Sequence, residues 1–263
     1  MGSRVHSAAM ASTHSLHSPF QAPPLSLLAM EPVRALFDFA AGKFSARAEP
    51  VGDGHPVVVF PGLGGAPFTT GHLRRFLSEA GFAAHCWGRG VNTGPEGDFD
   101  RWLDPLEADV RRWHADSGRK VSLVGWSLGG IYARELARRA PDAVRQVITL
   151  GTPFAAMRGA THAEGLYQLL NGGAAQLSDA LAARLRMTPP VPTTSVYSKS
   201  DGVVCWRGCI EQRTPLAESV QVDASHLGMV THPDVLRIVV NRLAQPEGQW
   251  RPLRRRERTG SAH

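Results

Sequence analysis

The sequence predicts an α/β fold built on a mostly parallel sheet of about six strands. Three observations support this prediction: short apolar runs alternate with longer amphipathic segments, several runs are apolar throughout, and turn residues separate them. Strands that are apolar on both faces are typical of a central parallel sheet, because helices cover both sides of it. The chain has 263 residues, of which 43% are hydrophobic, and this is enough for the core of one such domain.

Six apolar runs are predicted to form the strands, because each is short, bounded by turn residues and rich in β-branched or other apolar residues. They lie at positions 57–60, 82–87, 121–124, 144–150, 193–197 and 219–222. Segments with apolar residues at helical spacing follow most of them. These lie near positions 73–77, 102–113, 131–139 and 233–243. The alternation of the two patterns predicts helices on both faces of the sheet.

One further helix is predicted before the first strand, beginning after Pro24. Its apolar residues fall near one face, so we expect that face to pack on the body of the domain. They are Leu25, Leu28, Val33, Leu36, Phe37 and Ala40. Pro32 lies inside this stretch and lacks the N–H that a helix interior uses, so we expect it to divide the helix into two pieces.

Composition divides the chain into a body and two ends. Residues 1–23 are rich in Ser, His, Ala and Pro and are predicted to be a disordered leader, and residues 24–246 form the α/β domain. Five arginines follow Glu247, so much of the net charge of +6 belongs to residues 247–263, which are predicted to be a disordered basic tail. Within the domain, the Ala-, Leu- and Gly-rich insertion at 154–190 is predicted to be a helical cap, with an ordinary pair of packing helices as the alternative.

The stretch Gly-Trp-Ser-Leu-Gly-Gly at positions 125–130 lies between a predicted strand and a predicted helix. A serine on such a sharp turn is exposed to substrate, and the residues two before and two after it, Gly125 and Gly129, must be small because the chain is crowded there. A serine hydroxyl is a poor nucleophile unless a base removes its proton. Ser127 is therefore a candidate nucleophile that requires a base and a group to orient that base.

A carboxylate and a histidine follow the last two predicted strands. Asp201 is the first carboxylate after the fifth strand, and His226 lies in the loop after the sixth. Functional groups gather outside the carboxyl ends of parallel strands, so we predict that His226 takes the proton of Ser127 and that Asp201 holds the imidazole. Asp223, three residues before His226, is the alternative carboxylate. His55, by contrast, precedes a strand and belongs to the opposite end of the sheet.

Backbone N–H groups are predicted to bind the oxygen that becomes negative when the serine attacks. One is that of Leu128, which follows the serine at the start of a helix. The second is expected from the glycine-rich loop at 61–65, with Leu63 favoured and Gly64 as the alternative. A substrate pocket for an apolar group is predicted around the strand ends and the insertion. Its residues are Trp126, Phe154, Leu166 and Leu170.

Four segments, taken in chain order, resemble loops of the α/β-hydrolase superfamily, in particular of its lipase- and esterase-like members. They are Pro-Gly-Leu-Gly-Gly at 61–65, Gly-Trp-Ser-Leu-Gly-Gly at 125–130, Tyr-Ser-Lys-Ser-Asp-Gly-Val-Val at 197–204 and Ser-His-Leu-Gly-Met at 225–229. The resemblance covers residues 50–245 and implies an α/β-hydrolase fold whose sheet is shortened at its first edge. It also implies a serine hydrolase with Ser127, Asp201 and His226 as its catalytic triad. The loop at 61–65 lacks the His-Gly-Gly-Gly pattern of one esterase class.

We therefore predict an esterase- or lipase-like enzyme that cleaves a small-molecule ester or lipid-like substrate through an acyl-enzyme on Ser127. A thioesterase, an amidase or an acyltransferase uses the same residue types, and a non-catalytic binding protein with this fold is an alternative of another class. No cofactor or metal is expected, because the three cysteines lack the spacing and the histidine partners of a zinc site.

The sequence also gives expectations about surroundings and partners. No run of residues has the length needed to span a bilayer, and the N-terminus lacks the apolar core of a signal peptide, so we expect a cytoplasmic location, with export left open. Nucleic acid is not expected as a partner, because the basic charge is concentrated in the tail. The oligomeric state and the bonding of Cys205 and Cys209 are left open.

Overall fold

The computed structural model describes residues 22–45, 48–155 and 179–253. The strands are β1 (Pro56–Phe60), β2 (Ala83–Cys86), β3 (Val121–Trp126), β4 (Val144–Leu150), β5 (Thr193–Ser198) and β6 (Ala217–Val222). The α-helices are α1 (Leu25–Ser45), α2 (Gly71–Glu79), α3 (Phe99–Ser117), α4 (Leu128–Arg139), α5 (Asp179–Arg186) and α6 (Pro233–Leu243). Two short 3₁₀ helices span Trp206–Cys209 and Leu227–Val230.

The six strands form one sheet in the order β2-β1-β3-β4-β5-β6, and every neighbouring pair is parallel. Leu123 of β3 lies opposite Val58 of β1 on one side and Val147 of β4 on the other. Because all strands run the same way, their carboxyl ends meet at one edge of the sheet, where functional groups of such folds gather. The predicted α/β class and the strand number are confirmed.

Two apolar cores lie on the two faces of the sheet. One contains the buried faces of α3, α4 and α5, including Leu103, Leu136 and Leu185. The other contains those of α2 and α6, including Leu77 and Leu236. β1, β3 and β4 are buried along their whole length, which explains the continuous apolar run of β1. β4 also buries the polar residues Arg145, Gln146 and Thr149.

Two predictions about α1 are wrong. It is a single helix with Pro32 inside it rather than two pieces. Glu31 and Arg34, on either side of the proline, both hydrogen-bond to the body of the domain, and these contacts offset the cost of a proline in a helix interior. The predicted apolar packing face is also wrong: Leu36 is 67% exposed and Phe37 is 69% exposed. The side of α1 that is buried against the body carries Glu31 instead.

Several predictions fall on residues 1–21, 156–178 and 254–263, which lie outside the described residues. They are the leader, most of the cap and the arginine-rich end. Residues 247–253 differ from the predicted disordered tail, because they contact the body. The N–H of Leu253 donates to Glu218 over 2.6 Å, and the Arg251 carbonyl accepts from Arg242 over 2.7 Å. Among the described helices, none has an apolar stretch long enough to cross a membrane.

Candidate active site

Ser127 lies at the turn between β3 and α4. Its φ is 53°, and it is the one non-glycine residue in the described ranges with a positive φ, a conformation that costs free energy in an L-residue. The turn is crowded, since a Cβ on Gly129 would lie 2.5 Å from the carbonyl oxygen of Phe60, and one on Gly125 would overlap the Gly129 carbonyl. Glycine is therefore required at both predicted positions.

A hydrogen-bonded chain joins Ser127 to His226 and Asp201. The Nε2 atom of His226 lies 3.1 Å from Ser127 Oγ, and its Nδ1 atom lies 2.7 Å from Asp201 Oδ2. All three residues are buried, with Ser127 7% exposed. Because a carboxylate accepts and does not donate, Nδ1 carries the imidazole proton and Nε2 is left to accept one from the serine hydroxyl.

The surroundings of His226 make it a stronger base than an ordinary histidine. Burial by itself lowers the pKa of His226, because it disfavours the cation. The negative charge of Asp201, its hydrogen bond and the negative charge of Glu31 act in the opposite direction and together raise the pKa above the ordinary value of 6.5. The site therefore favours transfer of a proton to His226.

Asp201, rather than Asp223, is the carboxylate that contacts His226. The second oxygen of Asp201 accepts hydrogen bonds from the N–H groups of Val203 and Val204, each over 2.8 Å, and these bonds fix the side chain. The side chain of Asp223 is 90% exposed and accepts from the Ser200 hydroxyl instead. The structure thus brings Asp201 to His226, and not the alternative carboxylate, Asp223.

The loop at 61–65 passes beside the serine. A Cβ on Gly62 would lie 3.2 Å from the Cβ of Ser127. Of the two residues predicted to supply N–H groups, Leu128 directly follows Ser127, and Leu63 directly follows Gly62, which lies beside the serine. Their role in binding an oxyanion stays a prediction.

Asn92 fixes this loop, although no sequence motif marks it as a site residue. Its backbone exchanges two hydrogen bonds of 2.8 Å with Gly64 and Gly65, and its side-chain amide donates to the Pro61 carbonyl over 2.8 Å. The side-chain oxygen accepts from the hydroxyl of Tyr132 over 3.1 Å. The available signal was a lone asparagine in the glycine-rich loop after the second strand, a position where a buried polar side chain holds neighbouring turns.

The architecture has counterparts among solved structures. Aspergillus fumigatus lipase B matches with a TM-score of 0.58 and 16% identity over 78% of this chain, which spans 56% of the fungal protein. Bacillus licheniformis lipase BlEst2 in its mature form matches with a TM-score of 0.53 and 18% identity, covering 76% of this chain and 95% of the lipase. The chain has the α/β-hydrolase fold.

A putative aryl esterase from Burkholderia cenocepacia shows the same α/β-hydrolase likeness, with a TM-score of 0.54 and 17% identity over 75% of this chain and 93% of the esterase. No protein-family model matches the sequence. Identities of this size establish the fold and leave the activity to be argued from the site.

Glu31 of α1 is a second site residue that no sequence motif marks. Its side chain is buried and accepts hydrogen bonds from the loops after β5 and β6. The signal was a charged residue between apolar neighbours, Met30 and Pro32, in a predicted packing helix. In the α/β-hydrolase fold seen here, this helix therefore reaches the two loops that carry Asp201 and His226.

The predicted pocket residues have different surroundings. The indole N–H of Trp126 donates to the His226 carbonyl over 3.0 Å, so this side chain holds the histidine loop. Phe154 is buried in a core cluster, with the Arg134 guanidinium 3.6 Å from its ring centre. Leu166 and Leu170 lie outside the described residues. The part of all four residues in a substrate pocket stays a prediction.

A second Ser-His-Asp chain lies at the opposite end of the sheet. Nε2 of His55 is 2.8 Å from Ser122 Oγ, and Nδ1 contacts Asp53. Burial, and to a smaller extent the charge of Arg145, lower the pKa of His55 and outweigh the hydrogen bond to Asp53. Ser122 is 0% exposed, so a substrate has no access to it. We interpret this chain as structural.

Within the described ranges, no group of three or more His, Cys, Asp or Glu side chains could hold a metal ion. Cys86, Cys205 and Cys209 are free thiols. Burial raises the pKa of Cys209, so that its thiol stays protonated near neutral pH and is a weak nucleophile.

Proposed function

We propose that the protein is a serine hydrolase that cleaves carboxylic esters through an acyl-enzyme formed on Ser127. The hydrogen-bonded chain from Ser127 through His226 to Asp201 is the observation that carries the proposal. Its position at the carboxyl ends of the strands and the lipases and esterases among proteins of similar fold support it.

The proposed reaction has two steps. In the first, His226 Nε2 takes the proton of Ser127 Oγ as that oxygen attacks the ester carbonyl, and the proton then passes to the departing alcohol as its C–O bond breaks. In the second, His226 takes a proton from a water that attacks the acyl carbon, and Ser127 regains its proton when the acid leaves. Asp201 keeps the imidazole in the required tautomer and stabilises its cation.

The negative oxygen of the tetrahedral intermediate needs hydrogen-bond donors in fixed positions. We assign this role to the backbone N–H groups of Leu128, which follows the serine in the chain, and of Leu63, which follows Gly62 in the loop beside it. The hydrogen bonds that join Asn92 to Gly64, Gly65 and Pro61 hold the Leu63 loop in one conformation. Such preorganisation lowers the cost of stabilising the charge as it develops.

An apolar acyl group is the proposed substrate preference. Leu63 and Leu227 directly follow Gly62 and His226, and both leucine side chains are more than one-third exposed. Exposed apolar residues on the loops that contact a reactive serine favour an aliphatic chain over a charged group.

A fluorophosphonate probe tests the proposal, because it reacts covalently with an activated serine. We expect labelling of the wild type at one residue, Ser127, and no labelling of Ser127→Ala. Ser122→Ala is a matched control, because it removes the serine of the other chain and should be labelled like the wild type. A folded wild-type protein that the probe does not label would contradict the proposal.

Substrate class is tested by turnover of p-nitrophenyl esters of increasing acyl length, with a thioester and an amide of the same acyl group. We expect esters of medium chain length to be cleaved faster than acetate, and faster than the amide. A preference for the thioester, or transfer of the acyl group to an added alcohol in place of water, would assign the same residues to a thioesterase or an acyltransferase. A preference for acetate would contradict the apolar acyl group.

A further inference from the structure

α1 lies directly against the two loops that carry Asp201 and His226. A Cβ on Gly202, the residue after Asp201, would lie 2.5 Å from the Leu27 carbonyl oxygen. A Cβ on Gly228, two residues after His226, would overlap the side chain of Asp38. Glycine in both loops is thus explained by the close approach of this helix, not by the conformation of the loops alone.

Glu31 is the residue of α1 that contacts both loops at once. One oxygen of its carboxylate accepts from the N–H of Gly202 over 2.7 Å and from that of His226 over 3.0 Å. The other accepts from the N–H of Leu227 over 3.1 Å. The residue is only 2% exposed, and hydrogen bonds from backbone N–H groups to a buried charge are among the stronger ones in proteins.

We infer that Glu31 is a positioning residue of the active site: it fixes the Asp201 loop relative to the His226 loop and stabilises the His226 cation that forms when Ser127 loses its proton. This inference rests on the proposed function. The Glu31 carboxylate connects Gly202, the residue after Asp201, with the backbone of His226. A shift of either loop therefore breaks at least one of the hydrogen bonds to Glu31.

Among the described residues, the charged groups that act on His226 come from two elements. Asp201 approaches from the loop after β5, and Glu31 approaches from α1; both raise the pKa of His226. The other charged residues of the same face of α1 have different partners, since Arg34 donates to Ser200 and Asp38 accepts from Ser225. Loss of the Glu31 charge therefore lowers the pKa of His226, and the base becomes neutral and active at a lower pH.

The test is the rate of fluorophosphonate labelling as a function of pH for the wild type, Glu31→Gln, Glu31→Asp and Asp38→Asn. Glu31→Gln keeps the size of the side chain and removes its charge. Its amide N–H group faces a backbone N–H group, so one hydrogen bond of the carboxylate is lost. We expect labelling about 10- to 100-fold slower at high pH, because the loops that hold the base are displaced, and a midpoint of the rise with pH that moves to lower pH.

Two variants separate the effect of the Glu31 charge from its effect on the position of the two loops. Glu31→Asp keeps the charge but is shorter by one methylene group, so labelling should slow while the midpoint stays near that of the wild type. Asp38→Asn makes the same carboxylate-to-amide change on the same helix, next to the same loop, and should leave the midpoint unchanged. Thermal unfolding of each variant shows whether the protein is folded at the temperature of the assay.

The outcomes distinguish the two proposals. If the wild type is not labelled, the proposed function fails and Glu31 has no reaction to support. If the wild type is labelled and folded Glu31→Gln reacts at the same rate with the same midpoint, the positioning role is wrong and the proposed function stands. If Glu31→Gln does not fold, Glu31→Asp decides: wild-type labelling by that variant would overturn the positioning role.

Discussion

Replacement of Asn92 by alanine should strongly destabilise the protein. The buried side chain donates to the Pro61 carbonyl over 2.8 Å and accepts from the Gly94 N–H and the Tyr132 hydroxyl, each over 3.1 Å. Alanine leaves these three groups buried without a partner. Three such losses, each at the lower end of the range of about 1–3 kcal/mol, give a total of roughly 3–5 kcal/mol.

A double-mutant cycle with Tyr132→Phe makes the prediction sharper, because it predicts a change of sign. In the wild type, Tyr132→Phe removes one hydrogen bond and should cost about 1 kcal/mol. In Asn92→Ala, the hydroxyl is already buried and unpaired, so the same change removes an unfavourable group and should raise stability by about 1 kcal/mol or more. Burial raises the pKa of Tyr132, so the hydroxyl is protonated at the neutral pH of the experiment.

Urea unfolding followed by tryptophan fluorescence measures the four free energies of the cycle. Tyr197→Phe is the matched control, because Tyr197 is only partly buried and its replacement should change stability by less than about 0.5 kcal/mol. If Tyr132→Phe lowers stability equally with and without Asn92, or if Asn92→Ala is as stable as the wild type, the assigned network is wrong.

Three other substitutions test separate parts of the structure. Asp201→Asn should slow probe labelling about 10⁴-fold, because it alters the tautomer of His226. It should also move the midpoint of the labelling rate against pH to lower pH, because Asp201 raises the pKa of His226; an unmoved midpoint would contradict this electrostatic role. Gly129→Ala should give little folded protein on expression, since its Cβ has no room. Gly71→Ala should match the wild type, because its Cβ would lie in ordinary contact, 4.0 Å from the Arg74 side chain; equal yields of the two variants would refute the steric argument. Arg134 forms a buried ion pair with Glu211. Arg134→Ala leaves the Glu211 carboxylate without its ion-pair partner and should cost about 3–5 kcal/mol in urea unfolding; a cost below about 1 kcal/mol would refute the role of that ion pair.

The sheet and the chain order of the site were predictable because they depend on local patterns. Continuous apolar runs identify strands buried on both faces, and the residues that follow parallel strands meet at one edge. Ser127, Asp201 and His226 each follow a strand, so their meeting required no knowledge of long-range contacts. The crowding that requires Gly125 and Gly129 is likewise a property of a short turn.

α1 and Asn92 were not predictable in the same way. The apolar residues of α1 fall on one face, but periodicity does not indicate which face meets the body, and here the buried contacts are made by Glu31 and Asp38. Their partners lie more than 170 positions away in the chain, a separation that no local pattern encodes. Asn92 lies in a loop where glycine and asparagine alone predict a turn, and its bond to Tyr132 depends on packing across two elements.

The structural chain of Asp53, His55 and Ser122 has a consequence for the recognition of enzymes from coordinates. Its residue types, the order in which they contact one another and their distances match those of the Ser127 chain closely enough that a geometric template would accept both. A parallel sheet, however, has two unlike ends, and the end where the strands begin is closed over its serine. A template that also required a positive φ at the serine and a backbone loop beside it would keep the chain of Ser127 and reject that of Ser122.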